Sequence, residues 1–188
     1  AELLGHLNIS KTETDRSTVA NVLIESIVTE DEVGVRTRAI EALHGHGEAY
    51  IEQLVDELAT SVSGDPDDVT RFFQPWLDSE HPEFRMVAVS SFRRLGDDSV
   101  VPSLREAFGD PDPRVRARAV EAYSHRGSVS AEPVQPLLRD GYAHVRRAAT
   151  RALATIEDRE ARECLLSAAR DDDRVVRRIA VEYLYRLD

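Results

Sequence analysis

The chain has 188 residues, 41% of them hydrophobic, enough to fold around a core and too many for a disordered segment. A formal net charge of −11 argues against general nucleic-acid binding, which draws its affinity from basic surface. No apolar run approaches the roughly 18 residues needed to span a bilayer, and a single cysteine excludes an internal disulfide framework.

Of the 24 basic residues only Lys11 is a lysine. Dense carboxylates with almost no lysine look like adaptation to high salt, where acidic surface keeps a protein hydrated. The opening residues, AELLGHLNIS, carry neither the basic segment nor the apolar stretch of a secretory leader. With the lone cysteine, this suits a reducing cytoplasm.

Residues 1–14 form an N-terminal segment of little pattern. The first full unit is 15–47: Val19, Val22, Leu23, Ile27 and Val28 predict a helix over 16–28. Glu30-Asp31-Glu32 supplies an acidic turn, and Val35, Ala39, Ile40 and Leu43 predict a second helix over 33–44. Residues 48–65 interrupt the order with an extra helix near 48–62, carrying Ile51, Leu54, Val55 and Leu58. From there the units are 66–96, 97–127, 128–157 and 158–188. Helices are expected at 67–77, 82–95, 98–108, 113–125, 131–139, 142–156, 159–170 and 173–186. Phe72, Phe73 and Trp76 form an aromatic group expected to pack beside the extra helix. No segment shows strand-like alternation, so the chain reads as all-α, one domain over 1–188 with five helix pairs and the one added helix.

Internal repetition carries this reading. Val35-Arg36, Phe84-Arg85, Val115-Arg116, Val145-Arg146 and Val176-Arg177 recur with arginines 49, 31, 30 and 31 residues apart. Three residues after the arginine stands Ala39, Ala88, Ala119, Ala149 or Ala180; four after, Ile40, Val89, Val120, Thr150 or Val181; seven after, Leu43, Phe92, Tyr123, Leu153 or Leu184. These offsets share one helical face, and the invariant alanine implies close approach of neighbouring helices. Six residues before the arginine lies an acid in four copies (Glu30, Asp110, Asp140, Asp171) and Ser79 in the other. A guanidinium can bridge two acceptors, so Arg36, Arg85, Arg116, Arg146 and Arg177 are expected to form a structural ladder with these acids, pairing within a unit and across to the next.

The recurring acid, Val-Arg, alanine and terminal glycine resemble HEAT repeats, especially the short phycobilisome-lyase HEAT-like type, over about residues 15–187. The resemblance implies stacked antiparallel helix pairs in a right-handed α-α superhelix, with the Val-Arg helices lining its concave face. It also implies a protein-binding or scaffolding role, although some members ligate iron, attach bilins or bind nucleic acid.

Signals for chemistry are weak. His44-Gly45-His46-Gly47-Glu48 is the one histidine cluster, and no second cluster completes a metal site. No histidine is followed by glutamate, unlike the paired His-Glu ligands of the family's di-iron members. Cys164 sits among Leu165, Leu166, Ala168 and Ala169 and reads as a core thiol. No phosphate loop or nucleophile elbow is present. No catalytic residue, metal or cofactor is therefore expected. The Val-Arg helices are net positive while the remainder carries all of the acidic excess. The expected function is a non-enzymatic scaffold whose concave face holds another protein, such as an acidic segment or helix. Arg93, Arg94, Arg118, Arg147, Arg151, Arg178, Tyr185 and Arg186 would make the contacts, with Met86 and Tyr142 adding apolar surface. The alternatives are nucleic-acid or polyanion binding through the same arginines and a bilin-lyase-like or metal-dependent enzyme.

Overall fold

The computed structural model describes residues 13–29, 32–46, 53–58, 66–95, 98–126 and 129–186. Among the described residues there are helices, turns and bends and no strand. In chain order they form α1 (Glu13–Thr29), α2 (Val33–His46), α3 (53–58), α4 (Pro66–Leu77), α5 (Pro82–Leu95), α6 (Val101–Glu106), α7 (Pro113–Ser124), α8 (Ala143–Leu153), α9 (Arg159–Ala168) and α10 (Arg174–Arg186). This is the all-α solenoid of helix pairs that the repeat pattern predicts. Contacts group the chain into two units, 1–87 and 88–188, with the boundary inside α5.

In the first unit, α1 packs on α2. Ala20, Leu23, Ile24 and Ile27 of α1 and Ala39, Ile40 and Leu43 of α2 are buried, each set at helical spacing. The extra helix is described over 53–58, where it buries Leu54, Val55 and Leu58. Gln53 Nε2 donates to Asn21 Oδ1 at 2.9 Å, which places this helix beside α1. Pro75 lies near the end of α4; having no N–H, it removes a bond from the last turn, and the helix stops at Leu77. Phe73 is fully buried and meets Trp76 edge-on at 5.4 Å, and Trp76 in turn meets Phe84 at 5.0 Å. Phe72 joins the group from a position 36% exposed.

In the second unit the Val-Arg helices pack in succession, α8 on α7 and α10 on α8. Asp112 caps α7 by accepting from Arg114 N at 2.8 Å. Asp158 caps α9 through Ala161 N, and Asp173 caps α10 through the Val175 and Val176 amides. The helices preceding the Val-Arg helices are less uniform. Residues 98–109 run as a 3-10 turn, α6 and a second 3-10 turn. The helix predicted over 131–139 is not α: turns lead into a short 3-10 helix, Gln135–Arg139. Two prolines account for this. Pro133 disfavours helical backbone at Glu132, and Pro136 removes a donor and would clash with the preceding turn. α8 is also shorter than predicted, because Thr155 and Ile156 close i+3 bonds to Ala152 and Leu153 instead of continuing the α pattern.

The repeated alanines Ala39, Ala88, Ala119, Ala149 and Ala180 are all 0% exposed. Ala119 stands on α7, in the layer that α8 packs against. We expect Ala119→Leu to overpack this layer and cost about 1–3 kcal/mol in urea unfolding; a neutral result would contradict the close approach.

Candidate functional site

The repeated arginines sit in the first turn of their helices, close enough to reach back to the turn just left. Arg116 Nη1 donates to Asp110 O at 2.7 Å, Arg146 Nη1 to Asp140 O at 2.9 Å, and Arg177 Nη1 to Asp171 O at 2.6 Å. Arg85 Nη1 does the same to Ser79 O at 2.7 Å. The acceptor is a backbone carbonyl, so the contact persists where the acid is replaced by serine.

The other edge of the guanidinium reaches the next repeat. Arg116 Nε and Nη2 donate to Asp140 Oδ2 and Oδ1 at 2.8 and 3.0 Å. Arg146 donates to Asp171 in the same fork, again at 2.8 and 3.0 Å. Three described turn acids also hold their own turns. Asp110, Asp140 and Asp171 Oδ1 accept from the amides of Asp112, Tyr142 and Asp173, and Ser79 Oγ takes that place for His81. Asp140 and Asp171 thus each fix their own turn, orient their own arginine and receive the arginine of the preceding repeat. Arg36 is half-buried, while its turn acid Glu30 lies outside the described residues.

A second bridge runs alongside. Arg147 Nε donates to Asp173 Oδ1 at 2.9 Å and Nη2 to Asp173 Oδ2. Arg147, expected at a partner-binding surface, is thereby held by the cap of the next helix. Arg126, which the sequence pattern did not single out, is 5% exposed and donates from Nη2 to Arg93 O.

The remaining candidates separate by exposure. Arg118 pairs with Glu121 at 3.5 Å and is 17% exposed. Arg93 is half-buried and Arg94 exposed. Arg151 and Arg186 are exposed. Arg178 approaches Glu182 only to 3.8 Å, both well exposed, a geometry that contributes little. Tyr185 is 84% exposed. Tyr142 is 55% exposed and lies 5.9 Å from the Arg116 guanidinium, whereas Met86 is 6% exposed and unavailable for contact. The side chains of His44 and His46, with Gly47 and Glu48, lie outside the described residues. Among the described residues no group of three His, Cys, Asp or Glu could hold a metal.

A groove of about 640 Å³ between the 3-10 helix at 135–139 and α9 is lined by Arg139 and Arg170 and by Glu160, Glu163 and Asp171. Cys164 lines it but is only 4% exposed. Burial first, then Glu160 and its acidic neighbours, push this thiol above its ordinary value, which disfavours the nucleophilic thiolate.

Burial pushes the carboxyls of Asp140 and Asp171 up. The Arg116 or Arg146 fork and the backbone amide two residues on outweigh it, so both titrate below the usual carboxylate range. The hydrogen bond from Arg147, with the Val175 and Val176 amides, holds Asp173 well below that range. A carboxyl lowered by folding contributes stability above its unfolded value of about 3.9, and loses it as pH falls through the folded value. We therefore expect the urea midpoint to lose the contribution of these groups only below about pH 4. An Asp140→Asn/Asp171→Asn variant should be less stable at pH 7 and show a shallower acid loss; equal acid profiles would contradict this. Arg146→Lys keeps the charge but not the fork. It should cost about 1–3 kcal/mol in urea unfolding, and a change under about 0.5 kcal/mol would contradict the role of the fork.

The family profile for HEAT repeats matches residues 70–142 and 131–188. No protein of curated function matches the chain. Among solved structures, the chain is similar to two crystal structures of engineered proteins from the Northeast Structural Genomics Consortium. One superposes with a TM-score of 0.57 at 18% identity, covering 99% of this chain and 95% of that one. The other gives 0.54 at 18% identity, covering 100% and 97%. At such identity the likeness speaks to the fold alone. Together with the recurring Val-Arg helices and the profile that spans more than half of the residues, it identifies the chain as a member of the HEAT-repeat family.

Proposed function

We propose that the chain is a non-enzymatic scaffold that holds an acidic segment or helix of another protein against the exposed arginines of its Val-Arg helices. The observation that carries this reading is the division of the arginines into two kinds. Arg116, Arg146 and Arg147 have their donors taken up by the repeats' own carbonyls and carboxylates. Arg151 on α8 and Arg178 and Arg186 on α10 stay exposed on a chain whose net charge is −11, as does Tyr185 on α10. Exposed arginines on an acidic protein steer an acidic partner. HEAT repeats are commonly interaction scaffolds, which supports the reading at the level of the family. The 30- and 31-residue spacing supports the short phycobilisome-lyase-like subtype as part of the same proposal, and the nearly lysine-free acidic surface supports a high-salt cytoplasm.

Arg147 is not the residue on which to test this, since reversing it would also break its bridge to Asp173. Arg151→Glu/Arg186→Glu changes two exposed positions instead. We expect this variant to keep its helicity and to lose, at least tenfold, partners recovered by affinity capture from native extract at high salt and quantified by mass spectrometry. Capture of the same partners in the same amounts would overturn the assignment.

A further inference from the structure

We infer that the groove between the 3-10 helix Gln135–Arg139 and α9 binds a short extended segment of a partner polypeptide, one that carries an acidic and a basic residue four positions apart. This is a second site. It is built from the segments that precede the Val-Arg helices and is separate from the exposed arginines of the scaffold surface.

Both walls of the groove belong to repeats that pack on one another inside the second unit, 128–157 and 158–188. Its volume of about 640 Å³ falls in the range of about 300–1,000 Å³ usual for ligand sites. One end is basic. Arg139 and Arg170 line it, each directly before its repeat's turn aspartate, Asp140 or Asp171. Arg146 draws those two turns together, donating from Nη1 to Asp140 O at 2.9 Å and from Nε to Asp171 Oδ2 at 2.8 Å. The other copies hold Thr29, Asp78 and Gly109 at this position, so the ladder does not require an arginine there. Both arginines are exposed, and neither side chain makes a hydrogen bond or ion pair among the described residues. Asp171 does not neutralise them, because its carboxylate is taken by the Arg146 fork.

The other end is acidic. Glu160 stands in the first turn of α9, ten residues before Arg170. At 1.5 Å per residue that is about 15 Å along the helix. Glu160 makes no ion pair among the described residues, whereas Glu163 is engaged by Arg159 at 2.9 Å. Charges of opposite sign thus line one groove too far apart to meet. In the stretch between them Leu166 is 53% exposed and Leu138 is half-buried, which gives the groove an apolar part. An extended chain advances about 3.3 Å per residue, so residues four apart span about 13 Å and set one charge at each end. A purely acidic segment would meet Glu160, and a purely basic one would meet the arginines. Charge complementarity therefore selects the mixed segment, whose near-zero net charge escapes repulsion by a chain of −11.

The probe is the peptide Glu-Ala-Leu-Ala-Arg, with blocked termini and an uncharged fluorophore. Added to the full chain, it should bind saturably by fluorescence anisotropy. Peptides with glutamate at both ends or arginine at both ends should bind at least tenfold more weakly. Arg139→Glu/Arg170→Glu should lose the mixed peptide at least tenfold and gain the doubly basic one, a rescue that a damaged fold cannot give. Arg151→Glu/Arg186→Glu, outside the groove, should leave the affinity for the mixed peptide unchanged, so failure here is distinguishable from failure of the scaffold surface. No saturable binding up to about 1 mM, equal binding of the doubly acidic peptide, or loss in Arg139→Glu/Arg170→Glu without the gain would each overturn the inference.

Discussion

A guanidinium that closes two contacts at once is the joint on which the second unit depends. One edge of Arg116 or Arg146 binds the carbonyl of its own turn, and the other takes both oxygens of the next repeat's aspartate. The turn, the helix start and the neighbouring repeat are thus set by a single side chain. Lysine has no planar fork and could satisfy only one side of this arrangement well. The aspartates are partly removed from water and have their remaining lone pairs engaged by backbone amides, so each bridge is a charge-assisted network rather than an isolated surface pair. Such pairs are screened by salt far less than exposed ones, which suits a protein with so acidic a surface.

Apolar packing and the ladder divide the work. Alanines at the close contacts let the helices approach, and Val115, Val120, Tyr123, Val145 and Leu153 fill the layer between them. That layer is non-directional, and sliding one helix along another would conserve much of its burial. The arginine fork has one register. It ties α7 to the turn before α8, and α8 to the turn before α10, and so converts a greasy contact into a defined stacking. Function is then expected where the same residue type escapes this use, at exposed arginines not consumed by the ladder.

Much of this was legible in the sequence, for reasons tied to particular residues. The helix α5 runs Pro82–Leu95 as its periodicity predicts, because a proline opens it and a glycine follows it. The 131–139 segment misleads because its apolar spacing is helical while Pro133 and Pro136 forbid the hydrogen bonds. Five-fold recurrence marks the arginine and its turn acid but does not say how they meet. The carbonyl acceptor carries no residue identity, so within-unit and between-unit pairing look alike until the geometry is known. Arg147 and Asp173 make their bridge once, and a single occurrence gives no repeat to read. A trace exists: Arg147 precedes a repeat capped by Asp173, while Ala117 occupies the same place before a repeat capped by Tyr142.

The account stands or falls on whether the fork couples neighbouring repeats. A double-mutant cycle on Arg116→Ala and Asp140→Ala, measured by urea unfolding at neutral pH, tests this directly. A coupling of about 1–3 kcal/mol is the predicted result. Additivity to within about 0.5 kcal/mol would show that the two side chains stabilise the protein independently, and would contradict the ladder as the joint between repeats.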